Sequence, residues 1–217
     1  WERFSFYGMR GMLVVFMTSQ LLMDEGVANL QYGATQAFVY AFTFIGGLFA
    51  DKILGFRKSL FWGGILMIVG SCILAANPKE FFFLGISFTI IGTGFFKPNI
   101  STIVGGLYTN NPEKKDSAYT IFYMGINAGA FLGILLCGYV GEKAGWSYGF
   151  GLAGIFMFFG MLQFWFAQSI FGNLGLKPTK LVAGESIEED ATPPNVINDR
   201  LMVIGILAIS TIFFWMA

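Results

Sequence analysis

Apolar positions along this chain do not alternate with polar ones; they run on. Six continuous apolar stretches occupy residues 1–23, 31–50, 59–76, 81–108, 118–141 and 149–170, and a seventh starts near 201 and continues to Ala217. A hydrocarbon core about 30 Å thick takes roughly 20 helical residues to cross, so each of the six predicts a spanning helix. A transmembrane barrel would show segments of about ten residues with alternating hydrophobicity, and the pattern excludes it. No charged leader precedes a short apolar segment, so a cleaved signal peptide is not expected. The chain opens at Trp1 and stops inside an apolar run; the expectation is a fragment of something longer at both ends.

The polar positions between these runs set the orientation. Lys52, Arg57 and Lys58 follow the second run, Lys114 and Lys115 the fourth, and Lys177, Lys180 and Arg200 the sixth. The opposite side holds only Lys79 and Lys143, with Asp24 and Glu25 in the first loop. Bases in short loops mark the cytoplasmic face, and eight against two assigns the first set to it. Residues 171–198, rich in Pro, Gly and acids, then read as a solvated cytoplasmic linker. The expected organisation is a transmembrane six-helix bundle over 1–170, the linker over 171–198, and the start of a second bundle over 199–217. That is the layout of one half of a two-bundle transporter.

Composition sharpens this reading mainly by exclusion. Of 217 residues, 55% are hydrophobic and 12% charged, against about 25% charged in a soluble domain. Mean hydropathy is +0.66. The 29 glycines suit close helix packing in lipid. Thirteen bases balance thirteen acids, which leaves no electrostatic footprint for nucleic acid. There is no His, and Cys72 and Cys137 both lie in apolar runs, so neither a metal set nor a disulfide scaffold is expected. No nucleophile–base pair is evident either; an enzyme is not the expectation.

The charges left inside the runs are Glu2, Arg3, Arg10 and Lys97. Ionisable groups at such depth are costly and are functional candidates by default. Lys97 lies roughly 24 Å of helix from one end of the fourth run and 16 Å from the other, too far for its stem to snorkel. Pro98 frees the Gly94 carbonyl and predicts a kink, and Thr93 and Ser101, one turn either side, are placed to line a wet path. The alternative is a structural lysine held by carbonyl groups at that kink. In the first run, Glu2, Arg3, Phe6, Tyr7 and Arg10 share one helical face; for Glu2 and Arg3 a solvated interfacial flank is equally compatible with the spacing. Tyr40, with Gln36 and Thr43 on its face, is a candidate contact. Asn127 reads either as a contact or as a fastener between helices, and Gly125, Gly129 and Gly133 read as a packing face.

Five stretches carry a family resemblance. "GGLFADKILGFRK" (46–58) resembles the cytoplasmic-loop pattern of the major facilitator superfamily, with Asp51 and Arg57 or Lys58 at helix ends, where they would latch a neighbouring bundle as a gating loop. "WERFSFYGMRGML" (1–13), "GTGFFKPNISTIVGGLY" (92–108) and "FYMGINAGAFLG" (122–133) closely resemble the proton-coupled oligopeptide transporters of that superfamily. "STIFFWMA" (210–217) looks like the start of that family's seventh span. Glu2, Arg3, Phe4 and Tyr7 match the family's Glu-x-x-Glu-Arg-Phe-x-Tyr-Tyr pattern; its first Glu would precede Trp1, and Phe6 replaces its first Tyr.

The resemblance implies an all-α membrane protein, the major-facilitator six-helix N-terminal bundle plus the start of a seventh helix, in the cell (inner or plasma) membrane. It implies a proton-driven symporter that imports di- and tripeptides by alternating access, with protons as the coupling ion and no cofactor. Glu2, Arg3 and Lys97 would form the proton-coupling network. Tyr7, Arg10, Tyr40, Lys97 and Asn127 would line the N-terminal side of the peptide pocket, completed by a C-terminal bundle of the same protein. Two rivals stand beside it: a same-family carrier of nitrate or another small organic anion, and a channel or membrane scaffold with no transport cycle.

Overall fold

A computed structural model describes residues 1–109, 111–176, 202–203 and 205–206. The described residues form helices and turns, with no strand among them. The helices are α1 (Glu2–Ser19), α2 (Glu25–Phe49), α3 (Phe56–Ala76), α4 (Phe82–Leu107), α5 (Pro112–Lys143) and α6 (Trp146–Phe166). A π-helical turn, Ala50–Leu54, prolongs α2, and a 3₁₀ turn, Ala167–Phe171, prolongs α6. They belong to one compact unit, Trp1–Pro178; a second, Thr179–Ala217, is described only at Met202, Val203, Gly205 and Ile206, which are helical. The expected seventh helix and most of the linker thus lie outside the described residues. Of the linker's span, Phe171 closes the 3₁₀ turn and 172–176 remain with the first unit.

Four helical stretches are long and apolar enough by themselves to cross a membrane: Glu25–Leu54, Phe56–Ala76, Pro112–Lys143 and Trp146–Phe171. The other two helices, α1 and α4, are the ones that carry Glu2, Arg3, Arg10 and Lys97. Helix ends follow capping chemistry rather than hydropathy. Asp24 accepts a hydrogen bond from the Gly26 amide at 2.9 Å, so α2 begins six residues before its apolar run, with an acidic side chain at the positive end of its dipole. Pro112 occupies the first turn of α5, where its missing N–H costs nothing, and again the helix starts ahead of the run. At the other ends, Gly55 (φ 78°) and Gly145 (φ 124°) turn the chain into α3 and α6 in a region that side chains with a Cβ avoid.

The helices close a ring in which α1 packs on α5, α6 and α2, α4 on α2 and α3, and α3 on α6. Small residues set these distances. A Cβ at Gly92 would lie 2.6 Å from the Gly63 carbonyl oxygen, and one at Gly63 only 2.7 Å from that of Gly92, so α3 and α4 touch backbone to backbone. Gly70 and Gly85 repeat the contact further along. Between α1 and α5, Gly129 and Gly133 meet Arg3 and Phe4, as the packing-face reading expected, whereas Gly125 has open space before it. Core aromatics lock the centre: Phe16 packs on Phe82, Phe150 and Trp146, and Phe4 stacks on Phe156 at 4.0 Å. This frame holds α1, α2 and α4 close enough for their polar side chains to meet.

Candidate functional site

Lys97 sits on α4 just before Pro98, and the helix runs through the proline without a break. The Gly94 carbonyl freed by Pro98 faces Gly46 of α2 so closely that no Cβ would fit between them. Asn99, buried, donates from Nδ2 to the Phe95 carbonyl at 2.7 Å. Among the described residues, no carbonyl or carboxylate accepts a hydrogen bond from the ammonium, which lies 4.7 Å from the centre of the Tyr40 ring. Such a contact contributes about 0.5–2 kcal/mol, more as water is excluded.

The two residues expected to line a wet path beside Lys97 are enclosed or engaged in this arrangement. Thr93 is fully buried and its hydroxyl has no hydrogen-bond partner. Ser101 donates its hydroxyl to the Pro98 carbonyl at 3.1 Å. Both residues stand one turn from Lys97, but the first packs inward and the second bonds its own helix.

Arg10, on α1, is held by two tyrosines. Its Nε donates to the Tyr32 hydroxyl at 2.5 Å, and its guanidinium carbon lies 5.7 Å from the Tyr7 ring centre. The 5.5 Å separation from the Tyr32 ring reflects the hydrogen bond at the hydroxyl end rather than a face-on contact. Tyr32, Gln36 and Tyr40 recur at i, i+4 and i+8, so one stripe of α2 serves both cations, with a Gln36 amide nitrogen that is buried and has no partner. Tyr32 was absent from the expected site; the four-residue spacing back from Tyr40 was the available signal.

Glu2 and Arg3 do not form a solvated flank. Glu2 is 7% exposed, and its Oε2 lies 3.2 Å from Arg3 Nε, the one ion pair among the described residues. Its other oxygen, Oε1, is buried without a partner. Both residues line a cavity of about 540 Å³ with Trp1, Phe96, Ile126 and Gln163 among its walls. The cavity is bounded by α1, α4, α5 and α6 and by the 3₁₀ turn that prolongs α6. Tyr7, Arg10, Tyr40 and Lys97 are not among its lining residues. Asn127 is exposed on α5 and makes no side-chain hydrogen bond among the described residues.

The loop residues also part company. Asp51 and Lys58 are exposed, and Asp51 forms no ion pair among the described residues. Arg57 instead reaches the chain after α6. Its Nη2 donates to the Gly172 carbonyl at 2.5 Å, its backbone N–H to that of Gly175 at 3.0 Å, and its guanidinium lies 5.5 Å from the Phe171 ring centre. No group of three or more potential ligand side chains that could hold a metal ion occurs among the described residues.

The site's charge balance is unequal. Glu2 neutralises Arg3, while Arg10 and Lys97 each rest on tyrosine with no carboxylate partner among the described residues. A bundle of long apolar helices that carries two such cations is that of an α-helical membrane protein. The family is shown by sequence: residues 57–184 match the PTR2 model of the POT family, and the chain belongs to that family. It is 36% identical to the uncharacterized transporter YclF of Bacillus subtilis (strain 168) over 98% of this chain and 42% of that protein. It is 31% identical to dipeptide and tripeptide permease A of Yersinia pestis over 100% of this chain and 41% of that protein. A crystal structure of a mutant peptide transporter POT in complex with alafosfalin superposes with a TM-score of 0.78 at 33% identity, over 98% of this chain and 44% of that one. These relatives carry the names of transporters, not enzymes, and the chain spans less than half the length of each.

Proposed function

We propose that this chain is the N-terminal part of a proton-driven symporter that imports di- and tripeptides by alternating access. The observation that carries the reading is the pair of tyrosine-seated cations, Arg10 and Lys97, without carboxylate partners among the described residues. In a low-dielectric site, excess positive charge attracts an anionic group, and the carboxylate terminus of a peptide supplies one. Arg10 offers a planar fork for it, and Lys97 a mobile point charge. The names of the relatives, a dipeptide and tripeptide permease among them, favour peptide as cargo.

Coupling would work through competition for Lys97. A first-span carboxylate draws the ammonium away from the cargo; protonating that carboxylate releases it. Peptide and proton then favour the same occluded state, and rocking of two bundles delivers both inward. In this arrangement Glu2 is engaged by Arg3 and Lys97 rests on Tyr40, a state compatible with a released lysine. The six helices would span the cell membrane, with 171–198 as a cytoplasmic linker to a second bundle that begins with the seventh helix. The test is uptake of a labelled dipeptide by the full-length protein in liposomes. An inward proton gradient should drive accumulation, and unlabelled dipeptide should compete while nitrate does not. Competition by nitrate alone would transfer the site to small inorganic anions, and uptake indifferent to the gradient would refute symport.

A further inference from the structure

We propose that Tyr32 is a positioning residue that fixes which edge of Arg10 meets the cargo. A guanidinium binds a carboxylate through either of two forks, one made by Nε with an Nη and one by the two Nη groups. In this structure the Tyr32 hydroxyl accepts from Nε at 2.5 Å, so the first fork is closed. The guanidinium carbon also lies over the Tyr7 ring, 5.7 Å from its centre. What remains free is the end-on edge formed by the two Nη groups. Arg10 and Tyr7 are three apart on α1, and Tyr32 comes from α2, so the orientation of the fork reports how these two helices sit together. A guanidinium held in this way loses less side-chain freedom when it binds.

The inference rests on the reading of this site as the seat of the cargo's anionic end. Tyr32 packs against the core, and Tyr32→Phe keeps that ring while removing only the hydroxyl. Two measurements on the full-length protein in detergent test it: dissociation constants for a dipeptide and for its C-terminal amide, and the rate of phenylglyoxal labelling at Arg10 by mass spectrometry. Tyr32→Phe should weaken the free acid about tenfold, the scale of one hydrogen bond to a charged group, leave the amide unchanged, and speed the labelling. Equal weakening of acid and amide, or no change in either, overturns the proposal. If the unaltered protein does not distinguish acid from amide, the cargo reading has failed instead. Labelling then decides Tyr32 by itself: a faster rate in Tyr32→Phe upholds the tether, and an unchanged rate overturns it.

Discussion

Replacing Gly92 by alanine tests how the frame positions Lys97. The added Cβ would fall 2.6 Å from the Gly63 oxygen and 2.8 Å from both Met67 Cγ and the Met67 backbone nitrogen, where ordinary contact begins at 3.4 Å. Met67 can swing its side chain aside, but two of the three atoms are backbone. The helices α3 and α4 must therefore part by about 0.8 Å, the difference between 3.4 and 2.6 Å. Overpacking of this kind costs about 1–3 kcal/mol, and at about 2–4 °C per kcal/mol for a chain of this size Tm should fall by several degrees. Gly138→Ala is the control: it lies on α5 with nothing within 4 Å of the new methyl, and the helix gains up to about 1 kcal/mol from the loss of a flexible glycine. Tryptophan-fluorescence melting in detergent reads both. A Gly92→Ala protein as stable as its parent would refute the claim that α3 and α4 touch through backbone.

Two further substitutions probe contacts around the cations and the loop. Tyr40→Leu removes the ring 4.7 Å from the Lys97 ammonium, a loss of about 1 kcal/mol, and should raise the uptake KM about fivefold, whereas Tyr40→Phe should stay near the parent; equal effects would show that the ring face does not seat the lysine. Arg57→Ala removes the hydrogen bond to Gly172 and the contact with Phe171, so amide exchange at Leu174 should quicken by about tenfold while α3 is unchanged, and an unaltered Leu174 would dismiss the clasp.

Hydropathy located six helices because lipid demands long apolar runs, yet it misplaced their ends. α2 and α5 start at Glu25 and Pro112 rather than 31 and 118, since a helix continues into polar turns until a cap stops it; Asp24 and Pro112 were the readable signals. At α1 the error runs the other way. The helix stops at Ser19, and Leu22 takes φ 53° in the following turn. The place of Lys97 inside one long helix and the Gly129–Gly133 packing face were legible, because spacing along one helix suffices for both. Contacts between spans were not. Whether Arg10 meets Tyr32, or Arg57 meets a carbonyl 115 residues away, depends on how each helix is rotated, and helices apolar on every side carry little periodic signal of their inward face. Thr93 shows the same limit: spacing placed it one turn from Lys97 but could not say that it would be buried.

The proposed function turns on Lys97 trading partners between cargo and a carboxylate within the membrane. Its most direct test is pH-gradient-driven accumulation of a labelled dipeptide by the full-length Lys97→Gln protein in liposomes, beside counterflow exchange without a gradient. The claim predicts that gradient-driven accumulation is lost. Accumulation equal to that of the parent protein would contradict it.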